Sequence, residues 1–158
     1  MKRLMVGLLA GCLMATMLPG VVAAQTAWST VRIESDVTFA LPDYFPNYGD
    51  FEASGDAVDD GIVCEAGSVL DTDILFGDPD PSGGLQISAV KEFTCEDGSG
   101  TFVMNLRIDT EPDGSEVFTW MISSGTGDYA GLLGSGTGNT IDATSEGNTN
   151  IYDGSLID

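Results

Sequence analysis

Between Ser124 and Gly138 the chain places glycine at six of fifteen positions, yet keeps Tyr129, Ala130, Leu132 and Leu133 in the middle of the run. Glycine inside a strand costs conformational entropy and packs nothing, so this density predicts sharp bends or close approach of another backbone. Such positions belong at the corners of a small, tightly curved β-barrel. A phosphate-binding loop is the competing use of so many glycines. No helical pattern follows, no lysine accompanies them and the surroundings are acidic, so that use is set aside.

The rest of the chain alternates with period two. Val31, Ile33, Val37 and Phe39 fall on one side of a first strand over 29–39, and Arg32, Glu34, Asp36 and Thr38 on the other. Residues 41–50, with Pro42, Pro46 and three aromatics, read as a loop, with Tyr44, Phe45 and Tyr48 capping a barrel end. A short strand over 51–55 and a tight turn at Asp59-Asp60-Gly61 follow. Residues 62–76 read as one bent strand or two, interrupted at Ala66-Gly67, and the Pro- and Gly-rich stretch 77–84 as a loop. Strands are then expected over 85–95, 101–109 and 116–123, with a hairpin at Glu111-Pro112-Asp113-Gly114. A closing strand over 151–157 comes after the glycine run and a polar segment. About eight strands and no helical segment after residue 24 predict one all-β domain, a small antiparallel barrel of about eight strands over 25–158, closed to hide its edges.

Residues 1–24 stand apart. Lys2 and Arg3, an apolar stretch from Leu4 to Leu18 and the small residues Val22-Ala23-Ala24 have the order of a secretory signal peptide, with Gln25 next. The same segment contains Leu9-Ala10-Gly11-Cys12, a lipoprotein-type signal in which Cys12 would carry a lipid anchor at the cell surface. The length of the apolar stretch favours ordinary secretion, and Pro19-Gly20 argues against a membrane span. Beyond residue 24 the chain carries all 25 acidic side chains against Arg32, Lys91 and Arg107, which disfavours nucleic acid and anionic lipid as partners. Cys64 and Cys95 remain, and in a secreted chain they are expected to form a disulfide; closing a loop of roughly 30 residues contributes about 3–4 kcal/mol in the chain-entropy picture.

The run from Trp120 to Gly138 includes Gly125-Thr126-Gly127-Asp128-Tyr129 and, five residues on, Gly134. It resembles the Gly-Thr-Gly-x-aromatic-x-x-x-x-Gly signature of allene oxide cyclase-like and dirigent-like barrels, nearest to their bacterial secreted branch. The stretch from Phe93 to Phe102 and Ile62-Val63-Cys64 are similar to the same branch, so the resemblance spans roughly residues 50–138. It implies a barrel whose work is done in the lumen: the plant cyclases isomerise a fatty-acid epoxide, and dirigent proteins steer phenoxy-radical coupling. None of their functional residues has a counterpart here, so the resemblance implies architecture and no activity.

Candidate chemistry is sparse. The absence of histidine removes Ser-His-Asp and Cys-His catalysis and His-ligated zinc, and no cofactor is implied. Asp78-Pro79-Asp80-Pro81-Ser82-Gly83 imitates half of a calcium loop, with Asp71 and Asp73 as further oxygen donors, but Ala89 stands where the bidentate Glu of an EF-hand belongs. The three cations read as surface ion pairs, Arg32 beside Glu34, Lys91 beside Glu92 and Arg107 beside Asp109. A sharper expectation points Arg107 into the lumen, where it orients an anionic group of an apolar ligand. Phe102, Phe118, Trp120 and Tyr129 are the aromatic candidates for lining that lumen, although such stripes more often fill an eight-stranded barrel. The expected function is a secreted, non-catalytic barrel with a structural role or one in binding a small hydrophobic ligand. The alternatives are an isomerase- or cyclase-like enzyme and a cell-surface lipoprotein.

Overall fold

A computed structural model describes residues 27–40, 45–81 and 83–158. The expected signal segment with Cys12, together with Gln25, Tyr44 and Ser82, lies outside the described residues. Eight strands are described: β1 (Ser29–Thr38), β2 (Tyr48–Ser54), β3 (Ala66–Phe76), β4 (Leu85–Cys95), β5 (Thr101–Thr110), β6 (Glu116–Gly125), β7 (Leu133–Ile141) and β8 (Gly147–Ile157). They form a closed barrel in chain order, each antiparallel to its neighbours, with β8 returning to β1. The pleat explains the sequence alternation. Along β1, Val31, Ile33, Ser35 and Val37 are buried inside while Arg32, Glu34 and Asp36 are exposed outside.

The glycines of the opening stretch divide between two jobs. A Cβ added at Gly136 would lie 2.1 Å from the Asp153 carbonyl oxygen and 2.7 Å from Trp120 Cζ2. At Gly138 it would lie 2.2 Å from both the Ile151 carbonyl oxygen and Phe118 Cε2. Trp120 and Phe118 therefore lie across β7, and only glycine leaves them room. Gly127, at φ 60, turns the chain into a single 3₁₀ turn, Gly127–Tyr129, which splits the stretch in two. Tyr129 and Leu132 anchor this turn in the core, whereas Leu133 is exposed.

Three further boundaries depart from the sequence reading. β2 begins at Tyr48, which is 56% exposed on the outer face, and Phe45 is also exposed, so neither caps the barrel. Residues 62–65 are loop, and β8 begins at Gly147. A one-turn helix, α1 (Asp56–Asp59), buries Ala57 against the barrel; four residues are too few to show a helical period in the sequence.

The two ends of the barrel differ. At the end holding the β2–β3, β4–β5 and β6–β7 connections, Ala57, Val63, Cys64, Tyr129 and Leu132 are buried and plug the opening. Cys64 and Cys95 are joined there as a disulfide, with Cα atoms 6.0 Å apart. The middle of the lumen is filled by rings. Phe93 and Phe102 stack at 4.9 Å, Phe51 meets Phe93 edge-on at 5.2 Å, and Phe118 meets Tyr152 at 5.0 Å. Each buried ring contributes roughly 1.5–3 kcal/mol of transfer free energy, plus the edge-to-face and stacking terms. At the opposite end the described residues leave a cavity, with Phe39 in its wall.

Candidate ligand-binding site in the barrel lumen

The inward positions of β4 run Leu85, Ile87, Ala89, Lys91, Phe93 and Cys95, a parity fixed by the pleat. Lys91 is thus committed to the interior at the level where the aromatic filling ends, and its side chain is 6% exposed. On the neighbouring strand β3, Asp71 is Lys91's direct register partner. The register shifts between Asp71 and Asp73, and this β-bulge leaves Thr72 and Asp73 both outside. Asp71 and Ile74 can then both face inward across an odd spacing. Lys91 Nζ donates to Asp71 Oδ1 in a close ion pair, and the Asp71 side chain is 4% exposed.

Asn47 completes the carboxylate's surroundings. Its Nδ2 donates to Asp71 Oδ2 at 2.9 Å, and its carbonyl accepts from the Asp71 amide at 2.9 Å. The Ala40 amide donates to Asn47 Oδ1 at 3.3 Å, so the β1–β2 connection is tied to the pair. Across the lumen, Thr140 Oγ1 lies 2.9 Å from Glu116 Oε2 and 3.0 Å from Asn150 Oδ1, while Asn150 Nδ2 donates to Asn148 Oδ1 at 3.0 Å. Below the pair, Ser35 Oγ and Tyr152 Oη interact but neither reaches hydrogen-bond geometry, and both residues are fully buried.

Above this floor lies a cavity of about 220 Å³. Its walls are apolar, with Val37, Phe39, Ile74, Ile87, Ala89 and Ile108, and its polar lining comes from Lys91, Asp71, Asn47, Glu116, Asn148 and Asn150. Ala89 puts a small side chain in that wall, at an inward position between Ile87 and Lys91. Burial pulls the Lys91 ammonium down, but the opposing pull of Tyr152, of the Asp71 carboxylate and its hydrogen bond, and of Glu116 is larger. Lys91 is therefore held above its ordinary 10.5 and stays protonated at neutral pH. Burial likewise pushes the Tyr152 phenol up, against the pull of Lys91 and Ser35. A protonated amine is neither nucleophile nor base; it is a charged donor.

The residues expected from the sequence lie elsewhere. Phe102, Phe118 and Trp120 are buried in the packed middle of the barrel, and Trp120 Nε1 donates to the Thr137 carbonyl at 3.1 Å. None of the three lines the cavity. Tyr129 sits in the plug, its hydroxyl 2.7 Å from Ser99 Oγ, which in turn donates to Asp97 Oδ1 at 2.5 Å. Arg107 is exposed on the outer face with Asn105 and Asp109, so the lumen-facing role expected for it fails on parity. Arg32 does form a surface pair, but with Asp153 at 3.0 Å instead of Glu34. Lys91, expected on the surface beside Glu92, is the internal cation.

The described acidic residues named for a calcium loop face different ways. Asp71 faces the lumen and is taken by Lys91, and Asp73 faces out. Asp80 Oδ1 accepts from the Gly84 amide at 3.0 Å, closing its own turn, and Asp78 is exposed. Among the described residues no three His, Cys, Asp or Glu side chains converge to hold a metal. Comparison with family models, with curated proteins and with solved structures finds no match. The lumen geometry is therefore the ground for a functional reading.

Proposed function

We propose that the chain is a secreted, non-catalytic binding barrel that takes a small, largely apolar ligand in its lumen. The observation that carries this is the apolar-walled cavity of about 220 Å³ over a polar floor, at the end of the barrel opposite the plug. A dry cavity of about 150 Å³ suffices for benzene, so this lumen has room for one or two rings or a short chain. An eight-stranded barrel is of the size that holds one small ligand. Secretion is inferred from the segment 1–24, and the Cys64–Cys95 pair suits an oxidising compartment. The absence of histidine and the protonated state of Lys91 support a binding role without catalysis. The likeness to allene oxide cyclase-like barrels enters only as agreement in architecture.

Filling the cavity tests the proposal. Ala89→Phe places a ring where the ligand would sit, in space that is already empty. Wild type should bind the uncharged two-ring dye 1-aminonaphthalene with enhanced fluorescence, and Ala89→Phe should lose that binding while keeping its melting temperature. Equal binding by both proteins, or no binding by wild type, would overturn it.

A further inference from the structure

We propose that the ligand of this lumen is an uncharged molecule that presents one hydrogen-bond-accepting oxygen, a carbonyl or an ether, to the Lys91 ammonium. The inference rests on the binding role above and narrows it to a chemical class. A buried cation on a cavity floor first suggests a carboxylate ligand. The surroundings of Lys91 argue otherwise.

Its charge is already matched by Asp71, in direct contact, and Glu116 lines the same cavity and also acts on it. An entering carboxylate would make three negative groups around one ammonium, within a chain of formal net charge −20. It would also lose its hydration against Val37, Phe39, Ile74, Ile87 and Ile108, with no uncompensated cation to offset the loss. An amine ligand would meet the ammonium's own charge at the floor.

The hydrogen-bond inventory selects among what remains. An ammonium has three donors. Lys91 Nζ uses one on Asp71 Oδ1, and among the described residues no acceptor takes the other two. The polar groups opposite are engaged with one another, Thr140 with Glu116 and Asn150, and Asn150 with Asn148. A pure hydrocarbon filling the cavity would displace water from those two charged donors and return nothing, which is the costly case for buried polar groups. A neutral oxygen acceptor restores one such bond without adding charge.

An isosteric trio separates the possibilities: acetylnaphthalene, isopropenylnaphthalene and naphthoate, titrated by calorimetry at neutral pH into wild type and into Lys91→Met/Asp71→Leu. The double variant replaces the pair by apolar side chains of similar volume and so avoids stranding a buried charge. Wild type should bind the ketone about tenfold tighter than the hydrocarbon, the scale of one hydrogen bond to a charged donor, and the carboxylate weakest. In the double variant ketone and hydrocarbon should bind alike, with hydrocarbon affinity kept or improved. Tightest binding of naphthoate, or equal binding of all three by wild type, would overturn the inference while leaving a lumen-binding role intact. Binding of none of them would overturn that role and the inference together.

Discussion

Removing Lys91 while leaving Asp71 in place is the most demanding perturbation of this fold. In Lys91→Met a carboxylate whose side chain is 4% exposed loses its counter-ion inside the barrel. Stranding one member of a buried pair costs about 3–5 kcal/mol. The Asn47 Nδ2 bond to Asp71 Oδ2 at 2.9 Å persists and places the loss at the low end, about 3 kcal/mol. At roughly 3 °C per kcal/mol for a domain of this size, the melting temperature should fall by about 10 °C. Lys91→Met/Asp71→Leu removes both charges and leaves only the Asn47 Nδ2 donor without its acceptor, so it should recover to about 1–2 kcal/mol below wild type. Urea unfolding followed by the fluorescence of buried Trp120, with thermal melts alongside, gives the three free energies. A single variant within about 0.5 kcal/mol of wild type, or a double variant no more stable than the single, would refute an inward-facing pair, since surface ion pairs are worth little.

Gly138→Ala should cost at least about 3 kcal/mol, because its Cβ would meet the Ile151 carbonyl oxygen at 2.2 Å and backbone cannot yield as a side chain can. Gly131→Ala, whose Cβ meets only Asp158 Oδ1 at 3.6 Å, should stay within about 0.5 kcal/mol; equal losses in chemical denaturation would contradict the packing described. Replacing Cys64 and Cys95 by alanine should cost about 3–4 kcal/mol for a 31-residue separation, seen as a lower melting temperature. Dye binding should survive that change, because the disulfide lies at the plugged end, away from the cavity. Lys91 and Tyr152 are both raised in the fold, from ordinary values of 10.5 and 10.0. Groups of raised pKa hold more protons folded than unfolded, so their contribution is intact below those values and is lost as pH climbs through the folded ones. Unfolding free energy at alkaline pH should therefore be steady up to about pH 10 and fall beyond it; a fall already near neutrality would show that Lys91 is not held protonated by its pair.

Much of the barrel is legible in the chain. Alternation along β1, β5 and β6 marks inside and outside correctly, since each has one face on the core. The same parity, carried along β4 from Phe93, puts Lys91 inside, although composition and the neighbouring Glu92 suggest a surface pair. Asp71 is harder to place. Parity from Val69 turns it inward, but the β-bulge beyond it has no signal in Thr72-Asp73, and without the bulge Ile74 would point outward. Arg107 illustrates the converse, an isolated cation whose own alternation with Leu106 and Ile108 already assigns it to the outer face. The cavity is legible only in part: Ala89 marks a thin place in the lumen wall, but whether its neighbours close over the space depends on eight strands at once. The glycines of 124–138 announce close approach; that the approaching groups are the Trp120 and Phe118 rings follows from register alone.

The most direct test is a map of amide chemical-shift changes as acetylnaphthalene is titrated into the labelled protein. The changes should gather around the cavity, on Val37, Phe39, Ile74, Ala89, Lys91 and Ile108, and leave the plug around Tyr129 and Cys64 unmoved. Changes confined to the outer face near Arg107, Thr119 and Met121, or no changes at all, would contradict a binding site in the lumen.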